Sequence, residues 1–217
     1  MNVENLMKER KETEIMAVDV VILPPREVSQ FAISLSEQLR ESSPIVLNPN
    51  DYLPHISLSM GYIDSLITAQ QVIQQTASRV EPLSITIENI SRGTKPFESH
   101  YFYGLTIKKD VLLQKLHESL VDNNALVSVE KPETRFFLPE SNGEIVQAVY
   151  NYVGAFNTHH SKANFNPHIT LGAGPEGKLQ TDQSPIKFTV DTIYLCQLGN
   201  FCTCRKILAE FPLKKEK

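Results

Sequence analysis

The sequence predicts an α+β fold made of two small lobes that share a groove. Three observations predict it. Strand-like and helix-like segments alternate along the whole chain, no break in composition separates independent domains, and one five-residue unit occurs twice, 113 residues apart. With 217 residues, 41% of them hydrophobic, the chain has apolar surface enough for a sizeable core. Residues 1–217 are therefore read as a single bilobal domain, opened by a short polar leader over about residues 1–14.

The first element is AVDVVILP, an apolar run that reads as a buried strand and stops at the Pro24-Pro25 pair. Val28, Phe31, Leu35 and Leu39 then recur at helical spacing. A turn-like cluster, Asn48 to Asp51, leads into a short strand from Leu53 to Ser59. Leu66, Ala69 and Ile73 mark a second helix, with Asp64 as the expected cap. Strands are expected around Leu83 to Ile90 and Tyr101 to Ile107, joined by the polar loop SRGTKPFES that holds Arg92 and Lys95. A helix starting near Asp110 carries Leu112 or Leu113, Leu116 and Leu120, and His117, between Leu116 and Leu120, reads as a surface or boundary side chain. From 122 to 143 the pattern weakens, and a short helix or a lid is expected there. Ile145, Val149, Tyr152 and Phe156 form another helical stripe. Strands follow at Asn166 to Gly172, Ile186 to Val190, Thr192 to Leu198 and Thr203 to Phe211, with a bend at Gly199-Asn200.

Charge and cysteine content exclude several classes of protein. There are 21 basic and 25 acidic residues, a net charge of −4, and no basic stripe of the kind that grips a long duplex. A small ligand or a polymer end is expected instead, bound by a monomer. No run of eighteen apolar residues spans a membrane, and the N-terminus lacks the apolar stretch of a signal peptide, so a cytoplasmic protein is expected. The three cysteines, Cys196, Cys202 and Cys204, do not form a disulfide framework. No histidine follows them to complete a zinc site, so they read as ordinary thiols in or near a strand.

The unit that points to chemistry is Pro54-His55-Ile56-Ser57-Leu58, repeated as Pro167-His168-Ile169-Thr170-Leu171. On a strand, His55 and Ser57 share one side while Ile56 and Leu58 share the other, and the second copy does the same. The apolar side anchors the strand; the polar side presents an imidazole and a hydroxyl about 6.5–7 Å apart. Histidine titrates near neutrality, so one neutral and one protonated ring suffice for in-line cleavage of a phosphodiester. One ring takes a proton from water or a ribose hydroxyl, and the other protonates the departing oxygen. Ser57 and Thr170 would donate to the non-bridging oxygens as charge builds there. No metal or other cofactor is required. Against this stand two other readings: buried, hydrogen-bonded histidines, and a metal site, for which no H-E-x-x-H spacing is present.

These duplicated units, PHISL and PHITL, with their wide separation and the strand-rich tail, resemble the two-histidine (2H) phosphoesterase superfamily, including its 2′-5′ RNA ligase-like and cyclic phosphodiesterase members. The resemblance implies two pseudo-symmetric lobes with antiparallel-rich sheets around a central cleft and helices outside. It also implies an acid–base pair of His55 and His168, with Ser57 and Thr170 on the phosphate; Ser57 departs mildly from a threonine preference. Members act on 2′,3′-cyclic phosphates, ADP-ribose cyclic phosphates, 2′-5′ linkages or RNA 3′ ends, and some ligate reversibly. The resemblance leaves open which ring is acid and which is base. For opening a 2′,3′-cyclic phosphate to a 2′-phosphate, His168 is expected to activate water and His55 to protonate the leaving 3′ oxygen, the roles exchanging in reverse. Tyr62, Phe97, Phe136 and Phe156 are candidates for stacking on a base, and Arg92 and Lys95 for a second phosphate. His100, His159 and His160 are weaker candidates for substrate contact. A metal-independent phosphodiesterase on a small nucleotide or short RNA is expected. The alternatives are a non-catalytic nucleotide-binding module or an RNA end-processing, 2′-5′ ligase-like enzyme.

Overall fold

The structure, a computed structural model, describes residues 15–93, 100–139, 145–180 and 184–214. Eight strands and four helices alternate along it: β1 (Met16–Ile22), α1 (Arg26–Glu37), β2 (Ile56–Ile63), α2 (Leu66–Ala77), β3 (Leu83–Arg92), β4 (Tyr101–Ile107), α3 (Val111–Asp122), α4 (Gln147–His159), β5 (His168–Gly174), β6 (Ile186–Val190), β7 (Thr192–Leu198) and β8 (Cys204–Pro212). The strands form two four-stranded antiparallel sheets, in the orders β2-β1-β7-β8 and β5-β4-β3-β6. Each sheet is the floor of one lobe. β2 and β5, the terminal strands of the two orders, approach each other across the cleft between them.

The local signals explain most element boundaries. Pro24 and Pro25 cannot continue the β1 ladder, and Pro25 opens α1 instead. Asp110 Oδ1 accepts from the N–H groups of Leu112 and Leu113, 2.9 Å each, and caps α3 as the sequence predicts. The α2 cap is displaced by one residue: Ser65, not Asp64, accepts from the Thr68 N–H. Both side chains are of capping type, and the residue that holds extended backbone beside the first helical turn takes the role.

Strand alternation works in both repeated units. Ile56, Leu58, Ile169 and Leu171 are fully buried in the central core, a contribution of roughly 1.5–3 kcal/mol per side chain. Their polar neighbours on the opposite face remain partly exposed.

The register is duplicated as well. In the β1–β2 ladder Val21 pairs with Ser57 and Val20 with Ser59, so Leu58 is skipped. In the β4–β5 ladder Gly104 pairs with Thr170 and Tyr103 with Gly172, so Leu171 is skipped. Both bulges fall directly after the hydroxyl residue, where they bend the strand and re-aim its side chains. At the second bulge Gly172 has φ +134°, and a Cβ there would come within 2.5 Å of the Ser43 hydroxyl. Only glycine accepts both conditions. Ser43 in turn accepts from the Ala173 N–H at 2.9 Å, pinning the chain after α1 to β5.

A further expectation changes in three dimensions. His117 is not a boundary residue: it is fully buried, stacked on Phe165 with ring centroids 3.8 Å apart. Its Nδ1–H donates to the Leu58 carbonyl at 2.6 Å, and its Nε2 accepts from the Lys162 N–H at 2.8 Å. Between 122 and 139, Val127 exchanges backbone hydrogen bonds with Tyr62, Leu138 N–H donates to the Leu198 carbonyl, and Phe136 closes a 3-10 turn (Thr134–Phe136). Residues 140–144 of that stretch lie outside the described residues.

Candidate active site

His55 and His168 are mounted in the same way. Each follows a buried proline, and each Nδ1 meets the backbone carbonyl just before that proline: Leu53 O at 2.8 Å for His55 and Asn166 O at 2.7 Å for His168. A carbonyl can only accept, so Nδ1 carries the proton in both rings and Nε2 is the atom left for the cleft. The mounts are themselves tied down. Leu53 N–H donates to the Cys204 carbonyl at 3.0 Å, and Ile107 N–H donates to the Pro167 carbonyl at 3.1 Å. Gly104 lies beneath the second ring, where an added Cβ would sit 3.7 Å from His168 Cδ2 and 3.2 Å from the Ile169 carbonyl.

Both imidazoles, Ser57 and Thr170 line one cleft of about 760 Å³ between the lobes. The repeated units thus converge on a common space although 113 residues separate them. Burial pushes the His55 pKa down from 6.5 to about 4, helped by the nearby His168 and opposed by the Leu53 carbonyl. A ring in that setting is neutral at pH 7. The role expected of His55, protonating the leaving oxygen, draws on the charged ring, the form that desolvation disfavours here.

Ser57 is also less simple than its sequence suggests. Its Oγ lies 2.5 Å from Oδ2 of Asp19, a fully buried carboxyl on β1. Desolvation drives that carboxyl well above the usual carboxylate range, opposed by the proximity of the Ser57 hydroxyl and the Ser59 backbone, which favour its charged form.

The remaining sequence candidates divide. Arg92 is in the cleft wall, ion-paired with Glu176 and with its guanidinium carbon 4.3 Å from the centre of the Tyr101 ring. Phe156 and His160 line the cleft, and so does Tyr152, whose ring centroid is 4.5 Å from that of His160. Tyr62 and Phe136 do not: they are 0% and 3% exposed and pack edge to face at 6.1 Å in a core cluster beneath α4. As free stacking platforms they are corrected; their alternating and aromatic pattern suits a core equally well. Lys95 and Phe97 lie outside the described residues. Cys202 reaches the cleft with its thiol held protonated by burial, while Cys196 and Cys204 are buried in β7 and β8. Among the described residues no group of three or more His, Cys, Asp or Glu side chains is arranged to hold a metal ion. No helix among them is long and apolar enough to cross a membrane.

Sequence reasoning missed Asp19 and Tyr152 as neighbours of the site. Tyr152 was visible only as part of a helical stripe. Asp19 had a sharper signal, being the sole charged residue in an apolar strand.

The sequence matches no family model and no curated protein. Among solved structures it is similar to TT0787 of Thermus thermophilus, at 15% identity, covering 93% of this chain and 100% of that chain, with a TM-score of 0.53. It is also similar to E. coli LigT complexed with 3′-AMP, at 16% identity, covering 93% of this chain and 99% of that one, with a TM-score of 0.48. The likeness to TT0787 shows a shared fold that runs through both lobes; function has to be argued from the site.

Proposed function

We propose that the protein is a metal-independent phosphodiesterase of the 2H type, acting on a 2′,3′-cyclic phosphate or a 2′-5′-linked nucleotide or short RNA. The observation that carries this is the pair of identically mounted imidazoles lining one cleft, each with Nδ1–H spent on the pre-proline carbonyl and Nε2 left for a substrate. His55, held neutral by desolvation, abstracts the proton of the attacking water or hydroxyl. His168 delivers a proton to the departing oxygen on the other side of phosphorus. Ser57 and Thr170 donate to the non-bridging oxygens as negative charge accumulates. In the reverse direction the two rings exchange roles.

The cleft wall supports a substrate with one phosphate at its centre. Among the described lining residues Arg92 alone carries a permanent charge, and Glu176 already offsets it. Apolar and aromatic side chains such as Val149, Tyr152, Phe156 and Phe201 make up much of the remainder, a surface suited to a nucleobase and ribose.

The test is turnover of nucleoside 2′,3′-cyclic monophosphates in the presence of EDTA. Activity should persist in the chelator and fall by about 10²–10⁴-fold in His55→Ala and in His168→Ala, the usual worth of one positioned acid or base. Binding without turnover in the unaltered protein would favour a nucleotide-binding module. Full activity in both variants would remove the proposed roles.

A further inference from the structure

Asp19 is the one charged residue of β1 and is 0% exposed. Its Oδ2 touches Ser57, the Ser59 backbone is the other group nearby that favours its charged form, and its Oδ1 has no hydrogen-bond partner. The titratable groups around it are Cys196, opposite it on β7, the thiols of Cys202 and Cys204, and the Tyr152 phenol on α4. All of these are acids, and no ion pair reaches the carboxyl among the described residues. An unpaired charge in such surroundings is strongly disfavoured, so the neutral acid is the form that burial accepts. The duplicated register sets Asp19 apart further. Aligning Ser57 with Thr170 makes Phe102 the counterpart of Asp19, and Phe102 is simply part of the cleft wall.

A serine hydroxyl has one proton. If Ser57 gives it to an ionised Asp19, only lone pairs face the cleft, and these repel phosphate oxygens. If Asp19 holds a proton and donates it, the hydrogen of Ser57 is free to point at the substrate. We propose that Asp19 is a positioning residue which, as the neutral acid, donates to Ser57 Oγ and turns the serine hydrogen toward a phosphate oxygen. This deepens the phosphodiesterase reading and rests on it for the identity of the bound anion.

The experiment combines infrared spectroscopy at pH 7 with calorimetric titration of inorganic phosphate into the full chain and its variants. The unaltered protein should show the carbonyl stretch of a protonated carboxylic acid, absent from Asp19→Asn. Asp19→Ala should weaken phosphate binding by roughly ten- to a hundred-fold, the range for one hydrogen bond to an anion. Ser57→Ala should lose as much, with no further loss in the double variant, because the two act as one unit. Asp19→Asn, whose amide can donate the same bond, should recover most of the loss. A missing carbonyl band, an Asn variant as weak as the Ala variant, or additive losses would overturn the proposal. Should Asp19→Ala fail to fold, the Asn and Ser57→Ala variants with the infrared band decide it in the same way. None of these readouts needs turnover, so an inactive protein would refute the enzyme reading alone.

Discussion

His55 and His168 share a mount, and the desolvation of His55 bears directly on the pH behaviour of the site. Desolvation lowers the His55 pKa to about 4, so its neutral form persists far into acid. The acidic limb of kcat/KM reports the free enzyme's essential base. It is therefore expected near pH 4, about 2.5 units below an unperturbed imidazole. A pH–rate profile checks this, and a limb at the ordinary value of 6.5 would show that His55 is not the base. A bound phosphate raises the pKa of a ring beside it, so the corresponding limb of kcat should lie at higher pH than that of kcat/KM. The histidine and hydroxyl types were legible from PHISL and PHITL, because period-two alternation places each pair on one face. The proton positions were not, since they depend on carbonyls and on a carboxyl 38 residues from Ser57.

At the scale of elements, His117 links α3 to the first repeated unit and to the segment that precedes the second. It receives the Lys162 N–H shortly before β5 and donates to Leu58, the residue after Ser57 on β2. Removing it with His117→Ala deletes two buried hydrogen bonds and a ring stack. The expected loss is about 2–4 kcal/mol of stability, measurable by urea denaturation. Burial holds the His117 pKa below 6.5, so the unfolded chain takes up a proton there more readily than the folded one. Its contribution is complete above that pH and is lost as pH falls, because protonation would remove the acceptor that Lys162 needs. The helices and strands themselves were readable from apolar spacing and from Pro24-Pro25, Asp110 and the bend at Gly199. The face of α3 was readable only in part: Leu116 and Leu120 marked it, Leu112 and Leu113 stayed alternatives, and the structure buries Leu113 and places His117 in the same stripe. Its polarity argued for the boundary, and only the partners supplied by β2 and Lys162 reconcile a polar ring with full burial.

At the scale of the molecule, the cleft exists because both lobes are built on the same ladder. The bulges after Ser57 and Thr170 repeat the same two-against-one register, and the two motif strands meet at the sheet edges. The repeat in the sequence announced that symmetry, while the positions of Tyr62 and Phe136 had to wait for the packing beneath α4. An aromatic side chain fits a core and a binding wall equally well, so its type alone does not assign it. The central claim is that two distant imidazoles serve one phosphate. The most direct measurement is histidine-resolved ¹⁵N NMR during titration with inorganic phosphate. The Nε2 signals of His55 and His168 should move together with a single half-saturation concentration, while those of the buried His117 stay fixed. A response from only one of the pair, or two responses with different half-saturations, would contradict the account.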